Sequence, residues 1–287
     1  MSTPRIPGAH RVAERLAEIG VLDGPADWLA ARVARWPRVV RDVAHGVPVG
    51  TPLHPVLTDV TIGCWTAAFL IGPVPKTRRA TRVLLALGVV SAFPTAAAGV
   101  ADWHVLDRRA RRVGFVHLGA MATATALYAV AWRRARRSSF GGPAAILGAT
   151  VATVGAHLGG SLVYRFGAGV SHPPDDGPLR VRGFDASAVG SALTAFDVDG
   201  TRIVATRVDG AVCAFDDRCP HLGGPLSEGS RTETHLRCPW HASEFRLTDG
   251  AVLHGPATAP LRPVEVESGS GGAPGDSRAR YRVGERS

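Results

Sequence analysis

Several features that would settle the class of this chain at once are scarce or missing. Four cysteines in 287 residues are too few for a disulfide scaffold. Two of the four have bland surroundings: Cys64 lies inside an apolar run and Cys213 inside the strand-like GAVCAF, where both read as small buried hydrophobes. The opening MSTPRIPGAHRVAERLAEIG lacks an apolar core before its charges resume, so no cleavable signal peptide is expected there. The formal charge of +9 comes without zinc-finger spacing or an aromatic-rich basic platform, which argues against nucleic acid as a partner.

The charge has a different explanation once it is divided. Residues 1–174 carry 20 Lys+Arg against 8 Asp+Glu, whereas residues 175–287 carry 13 against 16. All the excess base therefore lies in the first part, between long apolar runs, as in a membrane protein that meets anionic lipid head groups. Four such runs follow one another, at 56–74, 83–101, 113–132 and 143–164. Each is long enough to cross a bilayer, shows little of the polar stripe of a soluble helix, and is rich in the Gly, Ala and Thr that let membrane helices approach closely. Pro94 in the second run is tolerable if a neighbouring helix satisfies the backbone it frees.

The positive-inside rule does not fix the orientation, because the basic residues flanking the spans number eight on each side. Four spans put both termini on one side. The cytoplasm is the expected side, since cofactor loading is simplest there, although RRSSF at 136–140 faintly resembles a twin-arginine export signal. Residues 10–46 read as two short amphipathic helices, with Leu29, Val33, Trp36 and Val40 at helical spacing. They would lie on the membrane surface or pack against a soluble domain.

Histidines His54, His104, His117 and His157 lie in or beside the spans, and ionisable groups there are functional candidates by default. A haem b held between two of His54, His117 and His157 is one use and contact with a quinone another. The simplest is hydrogen bonding to Asp59, Asp102 or backbone at helix ends.

After the Gly/Pro/Asp stretch GAGVSHPPDDGP (167–178), periodicity switches from helix to strand. Runs such as LRVRGF, TRIVATRV, AVCAF, THLRCP, SEFRL, RPVEVE and RYRV are punctuated by VDG at 198–200, VDG at 208–210 and TDG at 248–250. The last two turns suit tight hairpins. SGSGGAPGDS at 268–277 reads as a flexible insertion. The boundaries expected are an amphipathic helical segment at 1–50, a four-helix membrane domain at 51–168, a linker at 169–178 and an all-β domain at 179–287.

Within the β domain, Cys219-Pro-His221 and Cys238-Pro-Trp-His241 are separated by 16 residues. Thiolate and imidazole are both metal ligands, and each loop offers one of each. Zinc fingers usually pair Cys with Cys and His with His, so a cluster with two thiolates on one iron and two imidazoles on the other suits this order better. The motif CPHLGG…CPWHASEF resembles the Rieske iron–sulfur fold over residues 175–285. The resemblance implies a [2Fe-2S] cluster, with Cys219 and Cys238 on a buried iron and His221 and His241 on an outer one near the surface. Leu222, Gly223, Gly224, Trp240, Ser243 and Phe245 would surround it.

Departures from the family pattern refine that expectation. Rieske subunits of quinol-oxidising complexes brace the two loops with a disulfide at the places of Gly224 and Trp240, so no brace is expected here. Their Ser and Tyr that bond cluster sulfur and ligand correspond to Ser243 and Phe245, and loss of the Tyr donor should lower the potential. Their usual Gly after the second histidine is Ala242, which should slightly alter the loop. The spans in turn resemble a family of bacterial four-span membrane proteins of unassigned function, through TPLHPVLTDVTIGCW, GVADW and RRVGFVHLGAMA.

The implied protein is a membrane-anchored carrier of single electrons by outer-sphere transfer. Its partner would be a ferredoxin reductase, an oxygenase or a membrane oxidoreductase. A quinol-oxidising subunit and a redox sensor are the alternatives. Only 46 residues follow His241, too few for the mononuclear iron domain of a Rieske oxygenase.

Overall fold

The computed structural model describes residues 8–136, 141–170, 177–198 and 200–266. The expected insertion at 268–277, the RYRV strand, most of the linker and most of RRSSF lie outside them. The chain forms two units, one of residues 1–40 and 52–169 and the other of 41–51 and 170–287.

In the first unit, α4 (Leu53–Ile71), α5 (Arg78–Trp103), α6 (Arg108–Arg134) and α7 (Pro143–Phe166) are long and apolar enough to cross a membrane. Helix α4 ends at Ile71, short of the expected 74, whereas α5 and α6 start before their apolar windows because they begin with arginines. Such side chains extend their heads to water while their stems follow the apolar surface. Asp107 caps α6, accepting from the N–H of Arg109 (2.8 Å) and Ala110 (3.1 Å). Short loops join the helices into the hairpins α4–α5 and α6–α7. A core of Trp65, Leu85, Tyr128 and buried alanines holds the hairpins together.

Helix α5 continues through Pro94. A knot of hydroxyls surrounds the interruption: Thr61 on α4 reaches Ser91 and Thr95 on α5, each at 2.9 Å. These bonds tie α4 to α5 beside the interruption, hydroxyl to hydroxyl, and do not themselves reach the Val90 carbonyl that the proline leaves without its helical donor.

Before the spans the structure has three helices where two were expected: α1 (Gly8–Ala17), α2 (Asp23–Ala34) and α3 (Arg38–His45). Pro37 explains the break between α2 and α3, since it disfavours helix at Trp36 before it. Helices α1 and α2 pack on the bundle itself: Ala13 and Ala17 meet Val113 and Leu158, and Ala26 and Ala30 meet Trp103. Arg112 fastens them with two 2.7 Å bonds to Asp23 and a third to the Ala17 carbonyl. That guanidinium holds the Asp23 carboxyl below its ordinary pKa.

The second unit carries β1 (Leu179–Val181), β2 (Thr194–Val198), β3 (Thr201–Val208), β4 (Ala211–Asp216), β5 (Ser230–Arg231), β6 (His235–Arg237), β7 (Glu244–Arg246), β8 (Val252–His254) and β9 (Val264–Val266). They form a β2-β3-β4 sheet, a β5-β6-β7-β8 sheet and a parallel β1-β9 pair. The β3–β4 hairpin closes at Asp209-Gly210, both left-handed at φ 49° and 80°, the conformation an Asp-Gly turn of type I′ requires. The β2–β3 pair closes as tightly, with Val198 opposite Thr201. Two buried apolar layers result, and one of them includes Cys219 and Cys238 with Leu226, Leu236, Phe245 and Leu261.

Candidate metal centre

The two loops that carry the cysteines are built alike. In the first, the Cys219 N–H donates to the Gly224 carbonyl (2.9 Å) and the Gly223 N–H donates to the Cys219 carbonyl (2.8 Å). In the second, the Cys238 N–H donates to the Ser243 carbonyl (2.9 Å) and the Ala242 N–H to the Cys238 carbonyl (3.2 Å). Both loops therefore close four and five residues beyond their cysteine. The fourth residue must turn left-handed, which Gly223 does at φ 75° and Ala242 at φ 62°. Ala242 holds this conformation without the freedom of a glycine, at roughly 1 kcal/mol of strain.

This closure turns backbone donors onto sulfur. The N–H groups of His221 and Leu222 bond Cys219, and those of Trp240 and His241 bond Cys238. The two thiols also bond each other. That bond pulls Cys238 down to about 6 and pushes Cys219 up. Donors of this kind stabilise thiolates, the form that ligates metal.

The imidazoles form the other half. His221 Nδ1 and His241 Nδ1 lie 3.3 Å apart, with ring centroids at 4.9 Å and planes at 85°. Two nitrogens bound ~2.05 Å from one tetrahedral ion would be roughly 3.3 Å apart, so the pair has the bite of a single metal. Burial, and after it the neighbouring His241 and His45, pulls His221 down to about 3, and burial also lowers His241. Both rings are thus neutral at neutral pH and offer a lone pair. No three His, Cys, Asp or Glu among the described residues converge closely enough for one ion. A thiol pair and an imidazole pair set apart fit a two-iron group and do not fit one tetrahedral zinc.

Neighbouring side chains hold the loops in register. Buried Asp217 accepts from the Ser227 N–H (2.6 Å), the Ser227 hydroxyl (2.7 Å) and Arg202 (2.8 Å), while its carbonyl takes the Leu226 N–H (2.8 Å). Gly224 and Trp240, the two places where a disulfide would sit, touch instead. A Cβ on Gly224 would lie 3.0 Å from the indole and 3.2 Å from Cys238 Sγ. The indole is 57% exposed and stands edge-on to His241, 6.2 Å between centroids. Ser243, fully buried, accepts the Ala257 N–H at 3.0 Å and so ties in a third loop. Phe245 is fully buried beside the cysteines.

The membrane histidines divide. His54 Nδ1 lies 3.0 Å from the Thr95 carbonyl and His117 Nδ1 2.8 Å from the Gly155 carbonyl, so both bond backbone on a neighbouring helix. His104 Nδ1 bonds the Ala101 carbonyl at 2.6 Å. His157 stands on an exposed face of α7.

Sequence reasoning missed one contributor altogether. Residues 41–51 belong to the β unit, as a strap across its third loop. Asp42 bonds His254 Nδ1 (2.7 Å) and accepts the Gly255 N–H (3.0 Å). Val47 and His45 press on Gly255, where a Cβ would lie 2.9 Å from Val47 Cγ2. His45 is 3% exposed and lies near His221. More than two hundred residues separate these partners, so no local pattern could reveal them. Asp42→Ala is expected to speed amide exchange at Gly255 and Ala257 by about tenfold or more, the equivalent of ~1.5 kcal/mol of lost charge-assisted bonding. Exchange mass spectrometry of the full chain checks this; unchanged protection would show that the strap does not hold the loop.

Comparisons with known proteins agree with the two-part architecture. Residues 185–265 match the Rieske [2Fe-2S] domain family, and residues 50–172 match the family described as predicted membrane protein, DUF2231. The 3-phenylpropionate/cinnamic acid dioxygenase ferredoxin subunit of Escherichia coli (strain K12) is 39% identical over 79 residues, 26% of this chain and 74% of that protein. The oxygenase component of dicamba O-demethylase from Stenotrophomonas maltophilia is 41% identical over 58 residues, 20% of this chain but only 17% of its own length. Among solved structures, the ferredoxin of carbazole 1,9a-dioxygenase from Nocardioides aromaticivorans IC177 is similar at 29% identity. That match covers 31% of this chain and 86% of the other, with a TM-score of 0.26. Through its β domain, joined to a DUF2231 membrane domain, the chain belongs to the Rieske [2Fe-2S] family.

Proposed function

We propose that this protein is a membrane-anchored electron carrier. In it Cys219 and Cys238 ligate the inner iron of a [2Fe-2S] cluster, and His221 and His241 ligate the outer iron. The observation that carries the reading is the 3.3 Å approach of the two Nδ1 atoms beside a hydrogen-bonded thiol pair. When bound, the cluster supplies a one-electron couple. The chain's own residues do the rest. Four backbone N–H groups hold the sulfurs, burial keeps the imidazoles neutral, and the apolar layer around the cysteines excludes water.

Outer-sphere transfer needs an edge that a partner can approach. Trp240 and His241 offer one, a largely exposed indole against a ligand ring. Likeness to a dioxygenase ferredoxin subunit supports a reductase or oxygenase component as partner. The four apolar helices supply the anchor, and the β domain lies on the cytoplasmic side. A reporter fused after Ser287 tests that side: activity in the cytoplasm is expected, and activity only on the outer face would reverse it.

Redox titration of the purified full chain tests the function. A single one-electron wave at low to intermediate potential, flat with pH near neutrality, is expected. A high potential that falls with pH there would favour a quinol-oxidising subunit. Phe245→Tyr restores a donor beside the cysteines and should raise the potential by about 60 mV, the equivalent of ~1.4 kcal/mol for one electron. No shift would mean that this position does not tune the cluster.

A further inference from the structure

The membrane unit contains one hairpin twice. His54 and Trp65 stand eleven residues apart on α4, as His117 and Tyr128 do on α6. Gly88 and Gly99 stand eleven apart on α5, as Gly148 and Gly159 do on α7. Eleven residues are about three turns, so each pair shares a helix face. In both hairpins the aromatic ring covers the first glycine and the imidazole the second. A Cβ on Gly99 would lie 2.7 Å from His54 Cε1, and one on Gly159 would lie 3.1 Å from His117 Cε1. Each imidazole also bonds the carbonyl four residues before its glycine, that of Thr95 or of Gly155.

The equivalent aromatic side chains of the two hairpins then face each other. Trp65 and Tyr128 stack with centroids 4.4 Å apart and planes at 21°, and His54 and His117 each stand about three turns before them on the same faces of α4 and α6. The two levels differ in one respect. The aromatic pair is sealed, at 1% and 3% exposure, whereas both imidazoles remain partly accessible on the same helix faces. The seam is sealed at the aromatic level and less tightly covered at the histidines.

The hydrogen bonds fix what the imidazoles can do. A carbonyl only accepts, so each Nδ1 carries the proton and each Nε2 keeps its lone pair. Metal-ligating histidines almost always donate their other N–H in this way. We propose that His54 and His117 are the axial ligands of one haem b, seated in the seam between the hairpins next to the Trp65–Tyr128 stack. A quinone fits less well. Two acceptor nitrogens would hold the hydroxyls of a quinol but offer nothing to the carbonyls of the quinone, whereas iron keeps both bonds in both oxidation states. His157, on an exposed face, takes no part.

The haem site does not depend on the cluster reading, and one sample tests them apart. The full chain is expressed with added 5-aminolaevulinate, purified in detergent, titrated with haemin and examined by reduced-minus-oxidised absorption. The cluster is followed separately by electron paramagnetic resonance. About one low-spin haem per chain with a reduced α-band is expected. His54→Ala and His117→Ala should each abolish the low-spin band yet keep the cluster signal, which reports that the chain still folds. His157→Ala should change nothing, and His54→Met should retain haem with a shifted band. Absence of haem from the wild type after titration would overturn the proposal, as would an unchanged α-band in both alanine variants.

Discussion

Two backbone turns of one design hold the metal centre. In each, the cysteine N–H reaches a carbonyl five residues on and the cysteine carbonyl receives an N–H four residues on. That closure makes a left-handed residue obligatory at Gly223 and Ala242 and points two further N–H groups at each sulfur. The histidines are the second residue after the cysteine in one loop and the third in the other, so the turns carry them outward together. The β sheets need only present the two turns face to face, which the apolar layer shared by Cys219, Cys238, Leu236 and Phe245 does.

Around these turns the chain has replaced a covalent brace with packing. Gly224 has no Cβ, and Trp240 occupies the room this leaves. A single indole thereby packs the loops together and forms an exposed surface beside His241. Ser243 and the strap residue Asp42 secure the third loop from opposite ends, through the N–H groups of Ala257 and Gly255. The segment that precedes α4 is therefore part of the β unit.

What was legible in the sequence was what is local. The two Cys–His loops could be found because each needs only a few consecutive residues, and the strands because Asp-Gly turns and alternation mark them. The spans were visible as apolar windows, but their ends were not, since Arg78 and Arg108 begin helices that hydropathy alone would start later. The strap was invisible because Asp42 and His254 meet only in the fold. The doubled hairpin was present in the sequence as paired His and aromatic positions. It was hard to read because Trp65 answers to Tyr128 and Thr95 to Gly155: what repeats is ring over glycine, not residue identity.

The proposed electron transfer depends most on a division of the cluster's ligands into two thiolates and two imidazoles. Pulsed electron paramagnetic resonance of the reduced full-length protein, grown with 15N-histidine, measures that division directly. Two strongly coupled histidine nitrogens are predicted, with one lost in each of His221→Ala and His241→Ala wherever a cluster survives. A spectrum without histidine coupling, or a purified protein holding one zinc and no iron, would contradict it.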